Sequence, residues 1–237
     1  NATILSITNF IISFAPYGVF GLVTPTLMMV GIETVYVMGT FALTVLLGLA
    51  IHSFIILPCL LHFLAKLNFI KHLQAVSPAL LTAFSTASSS ATLPITLNCI
   101  TNRAGVSKKI ASFTLPLGAT MNMDGTALFE CVVVVFLAQL FGIEMDWVTQ
   151  STVVIMALLT SIGVAGIPSA SLVAIIVILH AVGFPEATIA IGVGIVFVVD
   201  RLLDMTRTAV NVLGDSCAAA IIGKSEGETG YYKSPQS

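Results

Sequence analysis

Residues 200–215 read DRLLDMTRTAVNVLGD and directly follow ATIAIGVGIVFVV at 187–199. Three aspartates and two arginines therefore continue an apolar run. On a helix at 100° per residue, taking Asp200 as zero, Asp204 falls at about 40°, Arg207 at about −20°, Asn211 at about 20° and Asp215 at about 60°. These five side chains form one narrow stripe, with Thr208 on its flank and Arg201 further round. The opposite face is Leu, Met, Ala and Val. Ionisable groups at membrane depth cost roughly 2.5–3.5 kcal/mol each, and by default they mark a functional face. The stripe is therefore expected to line a cavity. The alternative is a set of internal ion pairs, Asp204 with Arg207 for example, that only joins helices.

Composition places this helix in a bilayer. The chain of 237 residues is 57% hydrophobic and 8% charged, with a mean hydropathy of +1.06. A soluble domain carries about 25% charged residues, so this chain cannot cover a water-facing surface. Runs such as 35–63 and 152–182 exceed the ~20 apolar residues that span a membrane. A net charge of −2 gives no reason to expect nucleic acid. Four scattered cysteines and four scattered histidines show neither a disulfide framework nor metal-ligand spacing.

Charge bias then orders the segments. Lys and Arg gather on the inner side of membrane proteins. Here they gather at Lys66 and Lys71, at Arg103, Lys108 and Lys109, and at Lys224 and Lys233; the connections holding Glu33, Glu144 with Asp146, and Glu186 contain none. Two helices are expected in 1–72: about 4–29 running outward and about 35–64 returning. Residues 73–100 lie between two basic loops and must return to their own side, which predicts a re-entrant hairpin with STASSSATLP at its tip. The helix at 110–143 is interrupted at NMDGTA. Residues 152–183 lie between acidic loops, which predicts a second hairpin with the tip GVAGIPSAS. The last helix covers 187–222, and residues 223–237 read as a disordered polar cytoplasmic tail. Six ordinary spans would put one basic loop on the wrong side. Non-helical backbone at membrane depth must face protein or a water-filled cavity, so the two tips should point toward each other. The fold class is all-α integral membrane, with two opposed hairpins and broken helices around a transport core at 73–222.

Acids outnumber bases at this depth. With Asp124 and Glu130 of the interrupted helix, five acids face two arginines. Bound cations would supply the missing charge, and carboxylate and carbonyl oxygens suit a hard cation such as Na⁺. The planar fork of Arg207 suits a substrate carboxylate.

SSSATLP at 88–94, NMDGTA at 122–127, GIPSAS at 166–171 and DMTRTAVNVLGD at 204–215, in this order, resemble the glutamate transporter family over roughly 1–225. Its members are sodium- or proton-coupled symporters of dicarboxylates and amino acids, the excitatory amino-acid transporters among them. The resemblance implies an elevator mechanism without enzymatic chemistry or a resident cofactor, a homotrimer, and a multi-pass place in the plasma membrane, or the inner membrane of a bacterium. It also implies site roles. Ser88, Ser89 and Ser90 would contact substrate from the first tip, and Ile167 to Ser171 would close over it from the second. Asp204 would take its amino group, Arg207 its side-chain carboxylate, and Thr208 and Asn211 its α-carboxylate, with Thr126 nearby. One Na⁺ would sit among Gly118, Asn122, Asn211 and Asp215. A second would lie between Thr120 and the backbone of Ser161, Ile162 and Val164, and a third at Asn122 and Asp124. Glu130 stands where proton-coupled members carry a glutamate.

Two departures bear on this. Many members carry an arginine where Ala87 or Met205 stands here, and Arg201 is the one candidate to replace it. The family also has further N-terminal scaffold helices, which are expected to be missing from this chain. Rival readings are a C4-dicarboxylate symporter, which would not need Asp204 as an amine partner, and an ion channel. A third is an intramembrane aspartyl protease using Asp124 and Asp215, although no GxGD signature is present. Glutamate and aspartate are not distinguished by these residues, nor is the ion stoichiometry.

Overall fold

The computed structural model of the chain describes residues 32–163 and 166–232. Nine α-helices are described: α1 Ile32–Ile51, α2 Leu57–Ala65, α3 Phe69–Thr86, α4 Ser89–Asn98, α5 Lys108–Met121, α6 Asp124–Leu140, α7 Trp147–Gly163, α8 Ser171–Ala181 and α9 Glu186–Ser225. No strand occurs among the described residues. The first expected span, 4–29, lies outside them.

The second expected span is one helical rod, α1 to α2, interrupted by a π-helical stretch at His52–Ile56. Pro58 supplies the reason: it has no N–H to give the carbonyl one turn back, and the ladder widens just ahead of it. Tyr36–Ala65 and Lys108–Leu140 are long and apolar enough to cross a membrane. The second is broken at Asn122 and Met123, whose backbones leave the helical region.

Both hairpins are present. Helices α3 and α4 pack together, joined at Ala87, which takes a left-handed φ of 50°. Ser88 then caps α4 by accepting from the Ala91 N–H at 3.2 Å. Helices α7 and α8 form the second pair around Gly166–Ala170. The tips meet, with the Ser88 hydroxyl donating to the Gly166 carbonyl at 2.7 Å and the Ser90 N–H donating to the same oxygen at 3.4 Å.

The 40-residue α9 runs through two apolar clusters. One joins Phe41 and Leu49 of α1 to Phe129 and Leu137 of α6, Ile178 of α8 and Leu203 of α9. The other joins Leu61 of α2, Val76 of α3, Ile100, Leu115 of α5 and Cys217 of α9. The polar stripe of α9 lies where the two meet. Outward, Tyr36, Phe63, Leu81, Phe113 and Leu202 are all at least 70% exposed, as expected of a surface facing lipid or further helices rather than water.

The tail departs from expectation. The last helix continues to Ser225, and the chain then folds back to hydrogen-bond the Ala104 carbonyl through the Tyr232 N–H at 3.1 Å. Polarity alone suggested disorder for residues 226–232, yet two tyrosines give this segment apolar surface to bury. Residues 233–237 lie outside the described range.

Candidate functional site

The stripe on α9 is buried as a unit. Asp200, Asp204, Arg207, Thr208, Asn211 and Asp215 are each 5% exposed or less, whereas Arg201 faces outward. Arg201 therefore does not join the stripe. The Asp204–Arg207 ion pair forms between adjacent turns, and Asp200 stands 3.8 Å from the same guanidinium. The Arg207 guanidinium also stacks over the Phe129 ring of α6, 4.3 Å from its centroid. One nitrogen, Nη1, is buried without a hydrogen-bond partner, as are Asp200 Oδ1 and Ser171 Oγ. Unpartnered buried polar atoms of this kind are uncommon and call for a partner.

The second hairpin reaches this stripe through Ser169. Its backbone N–H donates to Asp204 Oδ2 at 2.9 Å and its hydroxyl to Asp200 Oδ2 at 2.8 Å. Ser169 holds a left-handed φ of 57° to do so. Asp200 was absent from the residues assigned to substrate, and Ser169 entered only within the stretch Ile167 to Ser171 expected to close over it. The signal for Ser169 was its place in the GIPSAS tip, but nothing in the sequence aims that tip at two aspartates.

A small cavity of about 20 Å³, room for about one water molecule, lies between the tips and α9. Eight of the residues assigned to substrate line it: Ser89 from the first tip, Ile167 and Ser171 from the second, Thr126 from α6, and Asp204, Arg207, Thr208 and Asn211 from α9. Ser88 and Ser90 do not. They hold the first tip against Gly166 instead. The Asn211 side chain caps α6: its Oδ1 accepts from the Gly125 N–H at 2.8 Å and the Thr126 N–H at 3.3 Å, while its amide donates to Thr126 Oγ1 at 3.0 Å. Its amide is thereby committed to the broken helix, on the wall of the cavity.

The break between α5 and α6, whose Met123 lines this cavity, brings oxygens together beside it. Asn122 donates to Asp215 Oδ1 at 3.0 Å. The Asp215 carboxylate rests on Gly118, where a Cβ would collide with it. Asp124 rests in the same way on Gly214, where a Cβ would come within 2.7 Å of its Oδ2. Two glycines thus make room for two carboxylates beside backbone freed by the break. This donor set, carboxylates with carbonyls, fits a hard cation. The other assigned ligands are less gathered. Thr120 is exposed and its hydroxyl bonds the Leu117 carbonyl at 3.0 Å, Ser161 is buried and donates to the Leu158 carbonyl at 3.0 Å, and Ile162 is 46% exposed. Val164 lies outside the described residues.

Asp124 has a partner that spacing did not reveal. His52 Nε2, at the start of the π-helical stretch, donates to Asp124 Oδ2 at 2.5 Å. The widened turn that Pro58 imposes is thus also where the rod carries the histidine that meets Asp124. Glu130 is fully buried on α6; its Oε2 accepts from the Thr160 hydroxyl of the second hairpin at 2.8 Å, and its Oε1 is unpartnered.

Two opposed hairpins meeting over a buried polar stripe and a broken helix define a midplane-site secondary transporter architecture. Residues 1–225 match the Sodium:dicarboxylate symporter family, and the chain belongs to it. It is 41% identical over 221 residues to an excitatory amino acid transporter of Caenorhabditis elegans, covering 92% of this chain and 43% of that protein. It is 42% identical over 221 residues to excitatory amino acid transporter 3 of Mus musculus, covering 93% of this chain and 42% of the other. It is also 38% identical over 224 residues to the mouse neutral amino acid transporter B(0), covering 94% and 40%. The chain spans about two fifths of the length of these relatives.

Proposed function

We propose that the protein is a sodium-coupled symporter of acidic amino acids, L-glutamate or L-aspartate, working by alternating access in the manner of an elevator. One observation carries this reading: Asp204 and Arg207, a carboxylate and a fork of N–H donors, lie side by side on a cavity where both hairpin tips meet. An acidic amino acid brings an ammonium for the first and a carboxylate for the second. Its arrival would replace the internal pair with two external ones, and the unpartnered Nη1 of Arg207 would gain an acceptor. Thr208, Thr126 and the first tip then offer hydroxyl and backbone groups to the α-carboxylate.

Na⁺ travels as a co-substrate. Asp215, Asn122 and the carbonyl of Gly118, with Asn211 adjoining, are the residues to hold one ion; Asp124 and Asn122 would hold another, and Thr120 with Ser161, Ile162 and Val164 a third. Cation binding would offset the surplus of buried carboxylates. The second hairpin, latched by Ser169 to Asp200 and Asp204, is the gate on one face, and the first hairpin, around Ser88–Ser90, is the gate on the other. Glu130 is the proton carrier if H⁺ is also coupled. A homotrimer in the plasma membrane, with residues 1–72 as two membrane-spanning helices, completes the reading.

The second reading, C4-dicarboxylate symport, is disfavoured by the same observation, because a second carboxylate has no use for Asp204. The likeness to a neutral amino acid transporter makes Arg207 the residue to test. Uptake of labelled L-aspartate, L-glutamate, succinate and L-alanine into liposomes, with and without an inward Na⁺ gradient, decides between them. Na⁺-dependent aspartate or glutamate uptake that is lost in Arg207→Ala supports the proposal. Succinate uptake without amino-acid uptake refutes it.

A further inference from the structure

His72 is fully buried in the second turn of α3, and nothing in the substrate or ion sites uses it. Its two ring nitrogens are both engaged. Nε2 lies 2.9 Å from the Ser216 hydroxyl and Nδ1 lies 2.9 Å from the Tyr232 hydroxyl. The Ser216 proton is given to the Leu213 carbonyl at 2.7 Å, so Ser216 Oγ accepts from Nε2–H. Nδ1 is then the acceptor, and Tyr232 donates to it. A continuous line of hydrogen bonds thus runs from the tail, through the base of the first hairpin, to the residue beside Asp215 on α9.

The tail makes further attachments along this line. The Tyr232 N–H bonds the Ala104 carbonyl at 3.1 Å, at the far end of the second leg of the hairpin. Glu228 Oε2 accepts from the Ser107 N–H at 3.1 Å, at the start of α5. The Tyr231 hydroxyl donates to the Ala220 carbonyl of α9 at 3.3 Å. Burial beside Glu228 pushes the Tyr231 phenol up to about 12, and burial pushes that of Tyr232 up as well, so both stay protonated donors. Two glycines clear the path. A Cβ on Gly105, whose φ of 87° already favours glycine, would come within 3.2 Å of the Gly230 carbonyl, and one on Gly223 would meet Tyr231 and Glu228.

We propose that residues 228–232 are a strap that ties both legs of the first hairpin to α9, and that the hairpin moves away from α9 only when the strap lets go. The strap crosses the base of the hairpin at the end flanked by Lys71, Arg103 and Lys108, opposite its tip. A passive tail would touch one element. This one joins α3, the end of the α4 leg, the start of α5 and α9 through side chains and backbone together. The proposal rests on the reading of the first hairpin as a gate.

Hydrogen–deuterium exchange on the full protein, wild type against Tyr232→Phe, tests it. The variant keeps the ring and His72 but removes the donor. Exchange is expected to rise about fivefold, the worth of one ordinary hydrogen bond, both in 228–232 and in 69–76 with 99–107, while 36–65 is unchanged. His72→Phe, which removes both hydrogen bonds of the ring, should produce the same pattern more strongly. The initial rate of uptake should rise with the exchange. Faster exchange confined to the tail, or none, overturns the strap. Faster exchange in the hairpin with an unchanged rate of uptake overturns its control of movement. The exchange result reads the strap even if the wild type transports neither amino acid, so failure of the strap and failure of the transport reading are separable.

Discussion

Arg207 shows how much one side chain has to satisfy. It neutralises Asp204, faces Asp200 at 3.8 Å and stacks on Phe129, and still has a nitrogen without a partner. Removing it leaves two buried carboxylates uncompensated, which typically costs about 3–5 kcal/mol of stability. Arg207→Lys is the milder probe: it keeps the charge and loses the fork. Acidic substrate should then bind on the order of tenfold or more weakly, the value of one charge-assisted hydrogen bond, with Na⁺ binding preserved, as isothermal titration would read. Ser169→Ala deletes the bond to Asp200 but keeps the backbone bond to Asp204. The second tip should open more often, seen as faster modification of a cysteine placed at Ile167. Unchanged modification would mean that the backbone bond alone holds the tip. Gly118→Ala tests the ion site, because its Cβ would displace the Asp215 carboxylate. Na⁺ affinity should fall while the fold, followed by helical circular dichroism, survives. Spacing made the stripe legible: five polar residues recurring on one helical face leave few other readings. It did not reveal His52 beside Asp124 or Ser169 beside Asp200. Those contacts span 72 and 31 residues, and no local period encodes them.

At the scale of elements, what the sequence marked well was interruption. Pro, Gly and hydroxyl residues stood at each break, and each break formed: the tips after Thr86 and Gly163, and the gap at Asn122–Met123. The π-helical stretch at His52–Ile56 was not foreseen, since Pro58 reads as a mild irregularity in an apolar run. Helix starts follow the same local chemistry. Asp146 accepts from the Thr149 N–H at 2.7 Å ahead of α7, and hydrogen bonding by the Thr149 side chain, with that N–H, holds its carboxyl below the usual range. A depressed carboxyl stabilises above its ordinary value of about 3.9 and loses that contribution as pH falls through the lowered one. Amide exchange at 147–150 should therefore accelerate relative to mid-helix only under strongly acidic conditions, and Asp146→Ala should show the acceleration at neutral pH. Equal protection in variant and wild type at neutral pH would remove the capping role. The tail was the misjudged element. Composition weighed its polar residues, whereas Tyr231 and Tyr232 decided where it lies.

For the molecule as a whole, two apolar clusters clamp a helix whose middle is charged. Such an arrangement is stable only if the charges are matched, and the described partners leave acids in surplus around Arg207 and His52. Na⁺ should therefore raise the thermal midpoint in a concentration-dependent way, by about 2.7 kcal/mol of stability at a hundredfold excess over its Kd. Asp215→Asn should blunt that gain, and K⁺ or choline at equal ionic strength should not reproduce it. An equal shift with choline would reduce the effect to screening.

The amino-acid sequence by itself determined the membrane environment, the order of helices and hairpins, and the polar face of α9. Each of these follows from composition, from where charges fall along the chain, or from a period within one element, and none needs a packed partner to be defined. Only the tertiary structure decided that Ser88 and Ser90 hold the second tip rather than line the cavity, that Asn211 caps α6, that His52 serves Asp124, and that the tail fastens to His72. These pairings depend on which distant surfaces the packed helices bring within about 3 Å, the reach of a hydrogen bond, and that is a property of the assembled fold rather than of any segment in it.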